Sequence, residues 1–212
     1  MKYVFFDLDG TLTDSSEGIT NAVAYSLAKF GINVENKTSL YPFIGPPLKD
    51  SYAEFYGFNE KNCDLAIKYY HEQYDEIGVF ENYPYEGIDN VLQSIKDSGK
   101  KIVLATSKPD IMVDKVLTHF DLSKYFDFLA TATMDGTRST KIEVLSYAIS
   151  SLNITDMSEV VMVGDRKFDI LGAKKFGMKS IGVLYGFGGL EELQKCGADY
   201  IAETPQDILK FI

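Results

Sequence analysis

Tyr3-Val4-Phe5-Phe6-Asp7-Leu8-Asp9-Gly10-Thr11-Leu12 is the stretch on which the reading of this chain turns. Four residues of apolar, β-prone sequence lead into two carboxylates, and a glycine then bends the chain. Carboxylates held side by side away from water are costly unless a cation or a shared proton relieves them. Asp and Gly are also ordinary turn residues, so the pair alone leaves two readings open, a polar turn and a cation site. The rest of the sequence has to separate them.

Four further apolar runs read as buried strands: Lys101–Ala105, Phe126–Ala130, Val160–Val163 and Lys179–Leu184, with a weaker one at Tyr200–Ala202. From Ile88 onward helical patterns alternate with them, at Ile88–Ser98, Pro109–Phe120, Lys141–Leu152 and Ile170–Phe176. That alternation predicts an α/β fold, a Rossmann-like parallel sheet with helices on both faces. Between the first two strands the alternation stops. Residues 15–83 hold helical stretches and no convincing strand. The first opens on an expected capping box, Asp14 to Glu17, and ends at Gly31; a second follows Pro46-Pro47, and a third spans Asn62–Ile77. We therefore expect a core of residues 1–14 and 84–212 and an inserted all-helical cap of residues 15–83.

Ligands of open parallel sheets lie beyond the carboxyl ends of the strands. Asp7 and Asp9 follow the first strand, Thr106, Ser107 and Lys108 the second, and Gly164-Asp165-Arg166 with Asp169 the fourth. Lys141 starts a helix that Thr140 and Glu143 cap. Taken singly these are unremarkable: hydroxyls cap helices, aspartates follow glycines in turns, and lysines sit on solvated faces. Agreement of all four groups, each at a strand end or helix start, is not expected of unrelated caps and turns. The set suits a magnesium ion and a phosphate group.

Bulk properties narrow the class. The chain has 212 residues, 45% of them hydrophobic, enough for a full domain and a smaller one. A net charge of −10 argues against a nucleic-acid polymer as partner, because phosphate backbones need a basic face. Cys63 and Cys196 lack metal-ligand spacing and read as plain thiols; His71 and His119 read as surface residues. No run approaches the roughly 18 apolar residues of a membrane span, and the first residues read as a strand rather than a leader. The expectation is a reduced, cytoplasmic protein with no membrane partner, monomeric or homodimeric.

These motifs resemble those of the haloacid dehalogenase-like hydrolase superfamily, and the resemblance extends over essentially the whole chain. Asp7-Leu8-Asp9-Gly10-Thr11-Leu12 is similar to its first motif, Thr106 to the second, Lys141 to the third and Gly164–Asp169 to the fourth. Phe43-Ile44-Gly45-Pro46-Pro47-Leu48 and Tyr185-Gly186-Phe187-Gly188 resemble the phosphoglycolate phosphatase-like branch, whose third motif often reads Lys-Pro where this chain has Lys141-Ile142. The resemblance implies a magnesium-dependent phosphatase with Asp7 as nucleophile and Asp9 as acid and base. Asp7, Asp9 (by its carbonyl), Asp165 and Asp169 would serve the metal, and Thr106 and Lys141 the phosphoryl oxygens. Ser107, Lys108, Lys49 and Tyr52 are candidates to meet the substrate, a small phosphorylated metabolite such as phosphoglycolate or a nucleoside monophosphate. Two other readings stay open: a phosphosugar mutase of the same superfamily, and a receiver-type signalling domain. The latter carries its phosphoacceptor after the third strand, where this chain has Ala130-Thr131-Ala132.

Overall fold

The computed structural model describes Met1–Ile212. The chain forms two compact units, one of Met1–Asp14 with Pro84–Ile212 and one of Ser15–Tyr83.

The first unit is built on β1 (Tyr3–Phe6), β4 (Lys101–Pro109), β5 (Phe128–Ala132), β6 (Val160–Gly164), β7 (Lys179–Val183) and β8 (Tyr200–Ala202). Two-residue strands β2 (Thr13–Asp14) and β3 (Tyr83–Pro84) mark where the chain leaves and re-enters this unit. The sheet order is β5-β4-β1-β6-β7-β8, and each neighbouring pair runs parallel. Central placement explains the unbroken apolar character of β1, since Val4, Phe5 and Phe6 are all fully buried. Alternation sends Phe5 to one face, where it meets Val103, Met162, Val144, Leu145 and Ala173. That face is covered by α6 (Lys141–Ser151) and α7 (Lys167–Phe176); α4 (Ile88–Asp97) and α5 (Asp110–His119) also pack on the sheet. From β1 the chain order runs outward in both directions, to β4 on one side and β6 on the other. The carboxyl ends of these three strands therefore meet at one edge, at the switch point of the sheet.

The second unit is wholly helical apart from its connections: α1 (Ser16–Ala28), a 3₁₀ segment Lys37–Phe43, α2 (Leu48–Tyr56), α3 (Glu60–Gln73) and a π turn Tyr74–Gly78. Its interior joins Ala22, Val23 and Leu27 of α1 with Cys63, Ala66 and Tyr70 of α3. Aromatic side chains fill the rest, with Tyr52 fully buried and its ring near Phe43 and Phe58.

Three local expectations are corrected. The third strand runs Phe128–Ala132, two residues later than Phe126–Ala130. Asp127 is spent on the start of β4, accepting from Ile102 N–H at 3.0 Å and from Lys101 Nζ at 2.7 Å, so the strand proper begins after it. The box from Asp14 to Glu17 does not form; Ser15 stands at the N-cap of α1, without a side-chain capping bond. β4 continues past Ala105 to Pro109 with a break in register, where Thr106 Oγ1 accepts the N–H of Lys108 at 3.2 Å. No helix is long and apolar enough to cross a membrane.

The helix that carries Lys141 starts on a complete capping box. Thr140 Oγ1 accepts from Glu143 N–H at 3.3 Å, and Glu143 Oε2 accepts from the N–H groups of Thr140 and Ser139, both at 2.9 Å. Thr140→Ala is expected to cost about 1 kcal/mol in urea denaturation; an unchanged midpoint would show that the cap does not hold the helix start.

Candidate active site

Asp7 continues the β1 ladder, its N–H donating to Val163 O at 3.0 Å, and its side chain stands at the sheet edge, 6% exposed. The two close donors to its carboxylate fall on the same oxygen, Oδ1: Leu8 N–H at 2.8 Å and Lys141 Nζ at 2.8 Å. The chain then coils back, with the N–H groups of Thr11, Leu12 and Thr13 all directed to Leu8 O. Gly10 makes this turn with φ +79°, and a Cβ there would lie 2.2 Å from Asp165 Oδ2. Only glycine meets both demands.

Asp165 and Asp169 come from the end of β6 and the first turn of α7, and both are fully buried. Asp165 Oδ2 accepts from Phe187 N–H at 2.8 Å and Oδ1 from Thr11 Oγ1 at 3.4 Å. Asp169 Oδ2 accepts from Arg166 N–H at 3.1 Å, while Oδ1 meets Lys141 Nζ at 2.8 Å as an ion pair. Lys141 is buried and reaches three oxygens, of Asp7, Asp169 and the Ala105 carbonyl, each at 2.8 Å. An ammonium has three donors and no acceptor, so this environment uses it fully.

One carboxylate oxygen from each of Asp7, Asp165 and Asp169 can be chosen so that all three lie within 4.8 Å of one another. Burial pushes the Asp165 carboxyl well above the usual carboxylate range, and repulsion from Asp169 and Asp7 adds to it. Asp169 is raised as well, by burial, against the pull of Lys141. Burial alone would lower Lys141, but Asp169 and Asp7 outweigh it and hold the lysine above its ordinary value. Asp9 sits at the rim, both its oxygens taken by Lys108 Nζ at 3.0 and 3.1 Å. Two ammonium groups thus pair with Asp9, Asp7 and Asp169 but not with Asp165, and the mostly buried carboxylates form a donor set of hard oxygens that fits a divalent cation.

The structure brings Asp7, Asp165, Asp169 and Lys141 into direct contact or close array, with Asp9 and Lys108 paired beside them. Thr106 is buried at the break in β4 and Ser107 is half-buried after it. Lys49 belongs to the helical unit, where its exposed side chain pairs with Glu60 at 2.9 Å and Asp64 at 3.5 Å. Thr11 and the Phe187 N–H lie outside the set of site groups that the sequence suggests. The hint in the sequence is Phe187 between two glycines, which reads as a close backbone approach without saying to what.

A model described as haloacid dehalogenase-like hydrolase matches residues 4–183. The chain belongs to this family. A predicted phosphatase from Clostridium acetobutylicum superposes with a TM-score of 0.94 at 49% identity, over 99% of this chain and 98% of that one. A 5'-nucleotidase of Pseudomonas aeruginosa is 38% identical over 90% of this chain and 86% of its own length. The pyrophosphatase PpaX of Bacillus velezensis is 33% identical, over 97% and 94%. Membership in a hydrolase family sets aside the receiver-domain reading.

The crowding has a measurable sign. A carboxyl whose folded value is raised makes the metal-free protein lose stability as pH climbs from about 4, the ordinary carboxylate value. Asp165→Asn should therefore stabilise the chelator-treated protein at pH 8, with the gain shrinking toward pH 4. Thermal melts that show the variant less stable at both pH values would contradict this account of the pocket.

Proposed function

We propose that this protein is a magnesium-dependent phosphatase that hydrolyses small organic phosphate monoesters through an aspartyl phosphate on Asp7. The observation that carries the reading is the buried array of Asp7, Asp165 and Asp169, only partly neutralised by Lys141. Asp7, Asp165 and the Asp9 carbonyl would hold the cation, with Asp169 serving its water or orienting Lys141. Bound there, magnesium would neutralise charge on the phosphoryl oxygens and on the carboxylates around them.

Both close donors to Asp7 occupy Oδ1, which supports Oδ2 as the attacking atom. Oδ2 forms a bond to phosphorus as the bond to the leaving oxygen breaks. Asp9, protonated for this step, gives its proton to the leaving oxygen. It then takes a proton from the water that attacks the aspartyl phosphate, releasing inorganic phosphate and restoring Asp7. Lys141 and Thr106 Oγ1 balance charge on the phosphoryl oxygens. Lys108 holds Asp9 by both oxygens until the substrate enters, and Ser107 lines its path. The unit of residues 15–83 acts as the cap and selects the leaving group, with Lys49 among its candidates.

Likeness to a 5'-nucleotidase over most of both chains supports nucleoside monophosphates as the substrate class. The test is magnesium-dependent phosphate release from nucleoside monophosphates, phosphoglycolate, hexose phosphates and pyrophosphate. The nucleotides should give the highest kcat/KM, and Asp7→Asn should lower kcat at least about a thousandfold while the fold survives. A folded Asp7→Asn enzyme of full activity would reject the covalent route. Preference for phosphoglycolate or pyrophosphate would move the substrate and leave the chemistry standing.

A further inference from the structure

The loop that follows β7 runs back over the end of β6. Phe187 N–H donates to Asp165 Oδ2 at 2.8 Å. On either side of Phe187 the backbone comes too close to Asp165 for any side chain. A Cβ at Gly186 would lie 2.3 Å from Asp165 Cβ and 2.6 Å from its Oδ2, and a Cβ at Gly188 would lie 1.9 Å from the Asp165 carbonyl oxygen. The loop therefore touches Asp165 on its carboxylate, its Cβ and its backbone.

The same loop governs the other oxygen through one intermediary. Thr11 Oγ1 reaches Asp165 Oδ1 at 3.4 Å, and the Thr11 carbonyl accepts from Tyr185 Oη at 3.0 Å. Tyr185 is held in turn by the ring of Tyr85, with centroids 4.7 Å apart at 63°. Burial, with Asp165 nearby, pushes the Tyr185 phenol above its ordinary value, so it stays a donor throughout the working pH range. One contact on each carboxylate oxygen fixes the rotation of the group and leaves further lone pairs for another ligand.

We propose that Tyr185-Gly186-Phe187-Gly188 is the positioning element for Asp165: the Phe187 N–H sets one oxygen directly, and Tyr185 sets the other through Thr11. This rests on the reading of Asp165 as a magnesium ligand. Tyr185 acts through Thr11 and touches no substrate, so it is a positioning residue. Its partner lies 174 positions away in the sequence.

The test compares full-length wild type, Tyr185→Phe and Gly186→Ala by calorimetric titration with magnesium chloride, with thermal melts in chelator. Tyr185→Phe keeps the ring and loses only the donor. It should weaken magnesium binding about tenfold, leave the metal-free melt unchanged, and recover kcat at saturating magnesium. Gly186→Ala should weaken binding further. Should Gly186→Ala fail to fold, Tyr185→Phe alone decides. A wild type that binds magnesium and a Tyr185→Phe that binds it equally well would overturn the proposal and leave the functional reading intact. The proposal falls in the same way if Tyr185→Phe lowers the melt and leaves affinity unchanged, since that is a packing role. A wild type that binds no magnesium would remove the functional reading, and this proposal with it.

Discussion

Three carboxylates buried against one lysine are the constraint on which this structure depends. Taking a carboxylate out of water costs several kcal/mol unless partners replace the lost solvation. Lys141 supplies part of that replacement by spreading its three donors over Asp7, Asp169 and Ala105. Asp165 has only a backbone N–H and a distant hydroxyl, and burial displaces its carboxyl toward the protonated form. The fold tolerates the crowding because its rigid elements hold each group in place. Asp7 is tied to β6 through its own N–H, Asp169 to the first turn of α7, and Lys141 to a capped helix start. Carboxylates crowded at a strand switch point in this way match the proposed cation site.

Much of this is legible in the sequence because the deciding signals are local. A buried central strand has to be apolar at every position, so Tyr3–Phe6 stands out. A carboxylate just past its end must lie at the sheet edge, and Thr140 with Glu143 fixes the helix that delivers Lys141. The register of β5 is not legible, because Asp127 is claimed by the first residues of β4 and that contact joins positions far apart in the chain. Nor is the pairing of Lys108 with Asp9, which depends on how the break in β4 turns one side chain inward. The Ser15 start of α1 escapes a sequence reading because a capping box is a tendency that other contacts override.

The glycines near the site divide along the same line. Gly10 announces itself as a turn, and the structure adds the second reason, contact with Asp165. Gly186 and Gly188 look like loop residues in sequence and become intelligible only when Asp165 is seen beneath them. Such close approaches link loops of distant sequence, and here they join the segment after β1 to the segment after β7. Family likeness fixes the fold and the reaction class, while relatives alike over most of their length carry different substrate names, so the leaving group is not set by the fold.

The most direct measurement is a crystal structure of the protein grown with magnesium and beryllium fluoride, a mimic of the phosphoryl group. A beryllofluoride adduct should form on an Asp7 oxygen, with the cation held by Asp7 and Asp165 and the fluorines facing Lys141 and Thr106. Cation and fluoride bound elsewhere, with the pocket of Asp7, Asp165 and Asp169 bare, would contradict it.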